Sequence, residues 1–147
     1  MPVTAWEVFG VKIVVIDGQG GRMGLAIVHE IKTRKIRARV MAIGTNSAAT
    51  AAMLSGGADS GATGENALMV AVRGADYIIG PLGILVPDAL LGEISPAMAR
   101  AVGQSPGKKI LLPISKCGCM VAGVRELPFG ELVRLAIELL AADNRQM

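Results

Sequence analysis

The chain has 147 residues, of which 52% are apolar, 3% aromatic and 18% charged. This length suffices for one well-buried core and is too short for two ordinary domains. With so few aromatic residues, the core must consist of Val, Ile, Leu, Ala and Met. The small charged fraction leaves few polar side chains to cover the outside of the protein. We therefore expect identical subunits to bury part of the protein surface in a homo-oligomer, most simply a homodimer.

Charge and hydropathy exclude two classes of partner. The net charge of +3 is thinly spread. Its densest patch, residues 32–39, lacks the aromatic or glycine neighbours that nucleic-acid binding uses. The uncharged window from Val40 to Ala58 contains Gly, Thr, Asn and Ser residues that argue against a bilayer span. No secretory signal is visible, and we expect a cytoplasmic protein that binds neither nucleic acid nor membranes.

Residues 1–10 precede the first convincing strand and are predicted to be an N-terminal appendage to a single domain of residues 11–147. From Val11 onward, strand-length apolar runs alternate with longer segments of helical period, which is typical of a parallel sheet covered by helices. The predicted strands are 11–17, 38–43, 58–61, 76–80 and 109–114. The predicted helices are 22–35, Ser47 to the stop at Gly56, an N-cap at Thr63 to Gly74, Ser95-Pro96 to Gly103, and 129–142.

Right-handed crossovers place the first strand centrally and predict a three-layer, doubly wound, Rossmann-like α/β fold with the strand order 3-2-1-4-5. The connection after the fifth strand is too short for a crossover helix. Residues 120–124 are therefore predicted to form an extra, antiparallel edge strand. In this topology the loop after the first strand lies at the switch point, where open α/β sheets bind ligands.

A glycine-rich loop separates the first strand from the first helix. The strand ends at Asp17, and four of the next seven residues are glycines. The free N–H groups of the helix that follows would face a bound anion. A simple tight turn needs fewer glycines, although such a turn remains an alternative. The predicted phosphate cradle consists of Gly18, Gln19, Gly20, Gly21, Arg22, Met23 and Gly24.

The same loop is a poor match to the nucleotide loops of ATPases. Gln19 and Leu25 stand where partition-type ATPases require lysines, and no Ser or Thr follows to bind magnesium. We therefore discount ATP hydrolysis.

Three further strand-end loops converge on the glycine loop in the predicted topology. Thr45, Asn46 and Ser47 stand where NAD-binding proteins carry an acid that holds the ribose hydroxyls. The missing carboxylate leaves room for a 2′-phosphate, which favours NADP, although Asn46 or Ser47 serves equally well as a helix cap. The other predicted ligand contacts are Thr63, Gly64, Glu65, Asn66, Gly80, Pro81, Leu82 and Gly83.

The sequence shows neither a catalytic constellation nor a metal site. His29 lies off the apolar stripe of its helix and is expected to face solvent. Asp17 would repel a phosphate unless it accepts N–H bonds within the loop, which is its predicted role, or binds a cation. Cys117 and Cys119 are too close in sequence for an unstrained disulfide and lack partners for zinc, so we interpret them as ordinary turn thiols.

The run Gly21-Arg22-Met23-Gly24, within Gly18-x-x-Gly21-x-x-Gly24, resembles the phosphate loop of dihydrodipicolinate reductase. That resemblance implies that the backbone amides of Gly21, Arg22 and Met23 contact a pyrophosphate and that the Arg22 side chain reaches a phosphate. The reductase also needs a second domain with a His and Lys cluster, whereas this chain has a single His.

A wider resemblance links nearly all of residues 11–142 to a small bacterial family known only as a domain of unknown function. It rests on Ile-Asp-Gly-Gln-Gly-Gly, Ile-Gly-Thr-Asn, Gly-Ala-Thr-Gly-Glu-Asn, Ile-Ile-Gly-Pro-Leu-Gly and Leu-Gly-Glu-Ile-Ser-Pro. It implies a compact Rossmann-like protein and brings no activity. The first ten residues and the second cysteine depart from the family pattern.

These features support one main hypothesis and two rivals. The main hypothesis is that the protein binds NADP(H) or another adenine nucleotide at the glycine loop. The first rival is a small NADP-dependent reductase whose site is completed across a dimer. The second is a flavodoxin-like sensor or partner-binding module without a nucleotide. Catalysis stays open, because a lone nucleotide-binding domain lacks the substrate half of a dehydrogenase.

Overall fold

A computed structural model describes residues 10–114 and 117–145, so the predicted N-terminal appendage lies outside the described residues except for Gly10. The strands are β1 (Lys12–Asp17), β2 (Arg39–Gly44), β3 (Ser60–Thr63), β4 (Tyr77–Pro81) and β5 (Lys108–Leu112). The helices are α1 (Arg22–Thr33), α2 (Ser47–Ser55), α3 (Glu65–Arg73), α4 (Pro96–Gln104) and α5 (Phe129–Asn144), and a 3₁₀ turn, Leu82–Leu85, follows β4.

The five strands form one parallel sheet in the order β3-β2-β1-β4-β5, which confirms the predicted order. The central strand is β1, which is buried on both faces because its side chains alternate between two apolar layers. Ile13 and Val15 pack with α1, α2 and α5, whereas Val14 and Ile16 pack with α3 and α4. The three predicted layers follow from this alternation.

The predicted antiparallel edge strand at 120–124 is wrong. Among the described residues, 117–124 form turns and irregular backbone, and the sheet ends at β5. Glycines at positive φ turn the chain before the apolar run, at Gly118 (+83°), and within it, at Gly123 (+81°). The side chains that suggested a strand are exposed instead of paired.

Helix starts were predicted with mixed success. Asn46, one of the two predicted caps, caps α2 by accepting from the Ala49 N–H, and Ser95 caps α4 by accepting from the Met98 N–H, as predicted. The predicted cap at Thr63 is wrong, since Thr63 ends β3 and Gly64, at φ +100°, occupies the cap position without a side-chain bond. None of the described helices is long and apolar enough to cross a membrane.

Candidate functional site

The glycine loop joins β1 to α1 at the carboxyl edge of the sheet, between β2 and β4. Gly21 lies in the left-handed region at φ +73°, and its N–H donates to the Gly18 carbonyl over 2.9 Å. A Cβ at Gly21 would lie 2.7 Å from Ala49 Cα, and one at Gly24 would lie 2.7 Å from Met53 Cγ. These two glycines are therefore required for close packing of α1 against α2.

The remaining two glycines of the loop differ from each other. A Cβ at Gly18 would lie 2.6 Å from Thr45 Oγ1 and 2.9 Å from Leu90 Cδ1. A Cβ at Gly20 would meet nothing within 4 Å, and Gly20 is exposed. Of the four glycines, only Gly20 therefore presents open backbone to an approaching ligand.

Asp17 ties the loop to the end of β1. Its buried carboxylate accepts from the Gly18 N–H at 2.8 Å and from the Gly24 N–H at 2.7 Å, which confirms its predicted role. Burial raises the pKa of Asp17, the bonds from Gly24 and Gly18 oppose this, and the charge of Glu93 adds to it. The N–H of Gly24, in the first turn of α1, is thus used by the protein's own acid.

A second acid reaches the loop from residues 86–95, which we call the strap. Glu93 Oε1 accepts from the Gln19 N–H at 3.0 Å, from Thr45 Oγ1 at 2.5 Å and from Asn46 Nδ2 at 2.7 Å. Burial alone would raise the pKa of Glu93, but these three bonds outweigh it and lower the pKa below its ordinary value. The ionised carboxylate is therefore held at the switch point of the sheet.

The backbone of the strap is strained. Leu90 and Leu91 have φ values of +57° and +56°, in the left-handed region that costs a non-glycine residue about 1 to 2 kcal/mol. Leu90 and Ile94 are nevertheless buried in the core, and the Asp88 N–H donates to the Ile94 carbonyl over 2.7 Å. Core packing therefore fixes the strap on both sides of Glu93.

The loop after β2 has two roles at once. Asn46 Oδ1 caps α2, while its Nδ2 donates to the Gln19 carbonyl over 3.0 Å as well as to Glu93. Ser47, the next residue, is exposed in the first turn of α2. Both interpretations of Asn46, as a helix cap and as a donor facing the glycine loop, thus describe the same side chain.

The other predicted contacts lie along the same edge but outside the glycine loop. Thr63 Oγ1 lies 2.7 Å from Thr50 Oγ1, and Glu65 accepts from the Ser95 hydroxyl over 3.0 Å. A Cβ at Gly80 would lie 2.5 Å from the Ile16 carbonyl oxygen, so this glycine permits close pairing with β1. The remaining members are exposed Asn66, buried Pro81, half-buried Leu82 and buried Gly83.

Arg22 contacts an aromatic ring, and the residues for which no function is predicted, His29, Cys117 and Cys119, are exposed. The Arg22 guanidinium stacks on the Phe129 ring, 4.8 Å from its centroid, at the start of α5. Reaching a phosphate would require Arg22 to leave that ring. His29 is exposed, as predicted, and Cys117 and Cys119 are free and exposed.

Sequence reasoning missed Glu93, the residue that joins the glycine loop to the loop after β2. Its three donors lie between 47 and 74 residues away along the chain. No local pattern marks it, because a glutamate in a loop is ordinary. The one available signal was the segment Leu-Gly-Glu-Ile-Ser-Pro, which contains Glu93 and recurs in the family resemblance.

The sequence matches the family described as Domain of unknown function (DUF3842) over residues 12–145. The chain belongs to this family. No curated protein matches the sequence. A similar solved structure is the dodecameric FMN-dependent UbiX-like decarboxylase from Escherichia coli O157:H7, at 16% identity and a TM-score of 0.44. The alignment covers 88% of this chain and 75% of that chain, and a likeness at this level assigns no ligand or activity.

Proposed function

We propose that this protein binds a nucleotide across the carboxyl ends of β1 and β2, with a phosphate over Gly20 and the sugar beside Thr45 and Asn46. One observation carries the proposal. Donors from two neighbouring loops, the Gln19 N–H and the Thr45 and Asn46 side chains, converge on a single anionic oxygen. Such convergent polar groups in the crevice at a switch point are how open α/β sheets hold ligands.

The class of ligand is argued from the acids at this edge. The sequence favours NADP(H), since no acid follows β2 in the chain. This reason for favouring NADP(H) does not hold in the structure, because Glu93 Oε1 lies 2.5 Å from Thr45 Oγ1 and supplies an acid at the same point. The proposal therefore covers adenine nucleotides as a class, with NADP(H) among them.

Binding is the whole of the proposal, and catalysis is not part of it. Asp17 and Glu93, the acids at the glycine loop, are both engaged by hydrogen-bond donors of the protein itself. A reductase would need catalytic groups from a second subunit at this edge. A module that binds no nucleotide would leave the open space over Gly20 without a ligand. Both remain hypotheses.

Calorimetric titration with NADPH, NADH, ATP and FMN tests the proposal. We expect saturable binding of at least one adenine nucleotide, weakened at least tenfold by Gly20→Val. A Cβ at Gly20 would meet nothing within 4 Å, so the added side chain would extend into the open space over the loop. Gly130→Val is the matched control, because a Cβ there also meets nothing within 4 Å and lies on α5.

Two results would contradict the proposal. One is the absence of binding by all four compounds at millimolar concentration. The other is an affinity in Gly20→Val equal to that of the wild type, since the valine side chain would clash with a ligand bound over the loop.

A further inference from the structure

A carboxylate occupies the end of β2 although β2 and its following loop contain none. In dinucleotide-binding α/β proteins, an acid at this point accepts hydrogen bonds from the ribose hydroxyls. Here Glu93 supplies it from the strap, 48 residues beyond Thr45, and bonds to Thr45 at 2.5 Å and to Asn46 at 2.7 Å. The position is thus filled in space by a residue that is distant in sequence.

The two oxygens of this carboxylate are used unequally. All three donors bind Oε1, whereas no residue in the described part of the chain donates to Oε2. An ionised carboxylate only accepts, and each oxygen carries lone pairs for about two bonds. Because Glu93 is only half-buried, Oε2 is an acceptor that is fixed in place and reachable by a ligand hydroxyl.

Charge at this point favours a hydroxyl over a phosphate. Asp17 lies close enough to Glu93 for their charges to interact, so a 2′-phosphate at the sugar position beside Glu93 would face two acids. The nearest basic side chain of the loop, Arg22, is stacked on Phe129. A diol, which donates hydrogen bonds and carries no charge, matches the open oxygen of Glu93 and adds no charge beside Asp17.

We infer that Glu93 accepts a hydrogen bond from the ribose of the bound nucleotide. It thereby selects an unmodified 2′,3′-diol, as in NAD(H), over a 2′-phosphate, as in NADP(H). The inference rests on the proposed function, since it names the sugar that the same site accepts. Glu93 is a specificity-determining residue in this account, and the strap is the element that positions it.

Titrations of NADH and NADPH into the wild type, Glu93→Gln and Asp88→Asn test this assignment. We expect the wild type to bind NADH at least tenfold more tightly than NADPH. Glu93→Gln should weaken NADH about tenfold and bring the two affinities together. Asp88→Asn is the matched control, with the same loss of charge on the same strap, and Asn tolerates its φ of +67°.

A comparison of two ligands on the wild type tests the inference even if Glu93→Gln misfolds. The wild type should bind 5′-AMP about tenfold more tightly than 2′-deoxy-5′-AMP, because the deoxy sugar cannot donate to Oε2. Equal affinities for these two compounds would overturn the inference.

The remaining outcomes separate the inference from the proposed function. NADPH binding as tightly as NADH in the wild type would overturn the inference and leave nucleotide binding standing. Tighter binding of both dinucleotides in Glu93→Gln would overturn it too, because Glu93 would then be an anion that competes with the ligand. Failure of both dinucleotides, of 5′-AMP, of ATP and of FMN at millimolar concentration would overturn both.

Discussion

The glycine loop and residues 117–127 are both irregular connections that follow a strand, yet they are organised in opposite ways. Around the glycine loop, the N–H groups of Gln19, Gly21 and Gly24 all have acceptors within the protein. In residues 117–127, Met120 is 93% exposed and Val124 is 48% exposed. Acceptors within and around the glycine loop thus hold its backbone, whereas the apolar side chains Met120 and Val124 remain exposed.

The difference is informative about function because a site needs pre-positioned polar groups. Two carboxylates, Asp17 and Glu93, and the Asn46 amide bond to the glycine loop from three different parts of the chain. Residues 117–127 instead border an apolar groove formed with β5 and α5, lined by Ile110, Leu112, Val124, Leu127, Leu132 and Leu139. The first arrangement suits a small polar ligand, whereas the second suits contact with another apolar surface.

The largest expected effect is a loss of stability in Gly21→Val, which tests how tightly the glycine loop is packed. Gly21→Val should destabilise the protein by about 3 kcal/mol or more, because its backbone is left-handed and its Cβ would overlap Ala49. Gly20→Val should change the free energy of unfolding by no more than about 0.5 kcal/mol. Urea denaturation measures both, and similar losses in the two variants would contradict the packing account.

A smaller effect is expected from Asp17→Asn. The amide offers one oxygen where the carboxylate accepts from both Gly18 and Gly24, so one N–H loses its acceptor. Leaving such a buried donor unpaired costs about 1 to 3 kcal/mol. Glu30→Gln on the far side of α1 is the control, because its carboxylate is part of a surface ion pair with Arg34.

The pH dependence of the same variant tests the direction of the pKa shift. Asp17 has a raised pKa in the folded protein, mainly because it is buried. Its contribution to stability is therefore fully present below the unfolded pKa, near 3.8, and is lost as the pH rises through the raised folded value. The stability advantage of the wild type over Asp17→Asn should grow as the pH falls from 7 to 4. An advantage that shrinks over that range would show a lowered pKa.

Local sequence determined what could be predicted. The strand order follows from the alternation of apolar runs, and the role of Asp17 follows from its bonds to residues one and seven positions later. The contact between Glu93 and Gln19 spans 74 residues and depends on a left-handed turn at Leu90 and Leu91. Neither feature is encoded in periodicity or in the glycine spacing.

The wrong edge strand shows the converse limit. The run from Met120 to Val124 has the apolar character of a strand, but pairing requires a partner edge and a continuous extended backbone. Gly123 at φ +81° breaks that backbone, and the described part of β5 gains no neighbour. Apolar character therefore predicted a strand where the tertiary structure leaves an exposed segment.

Limited proteolysis compares the two regions directly. Trypsin should cut after Arg125 at least ten times faster than after Arg22, although both side chains are exposed. Cleavage needs a locally opened backbone, and Arg22 lies in the first turn of α1, next to the glycine loop held by Asp17 and Glu93. Mass spectrometry identifies the first cut. A first cut after Arg22 would mean that the glycine loop opens more easily than residues 117–127.

The smallest effect on folding is expected from Met120→Ser, which should change stability by no more than about 0.5 kcal/mol because the side chain is almost fully exposed. The same variant tests assembly. We expect light scattering to report more than the monomer mass for the wild type at micromolar concentration, as the weakly charged composition predicts.

Leu91→Ser is the matched control for assembly, because Leu91 is 94% exposed and lies on the strap. If subunits meet over the apolar groove, Met120→Ser should dissociate at a severalfold higher protein concentration than the wild type, and Leu91→Ser should not. The opposite result would place the contact on the strap, beside Glu93, where a neighbouring subunit could reach the proposed nucleotide site. A wild type that is monomeric throughout would contradict the prediction of a homo-oligomer, and the exposed methionine would then be an ordinary surface residue.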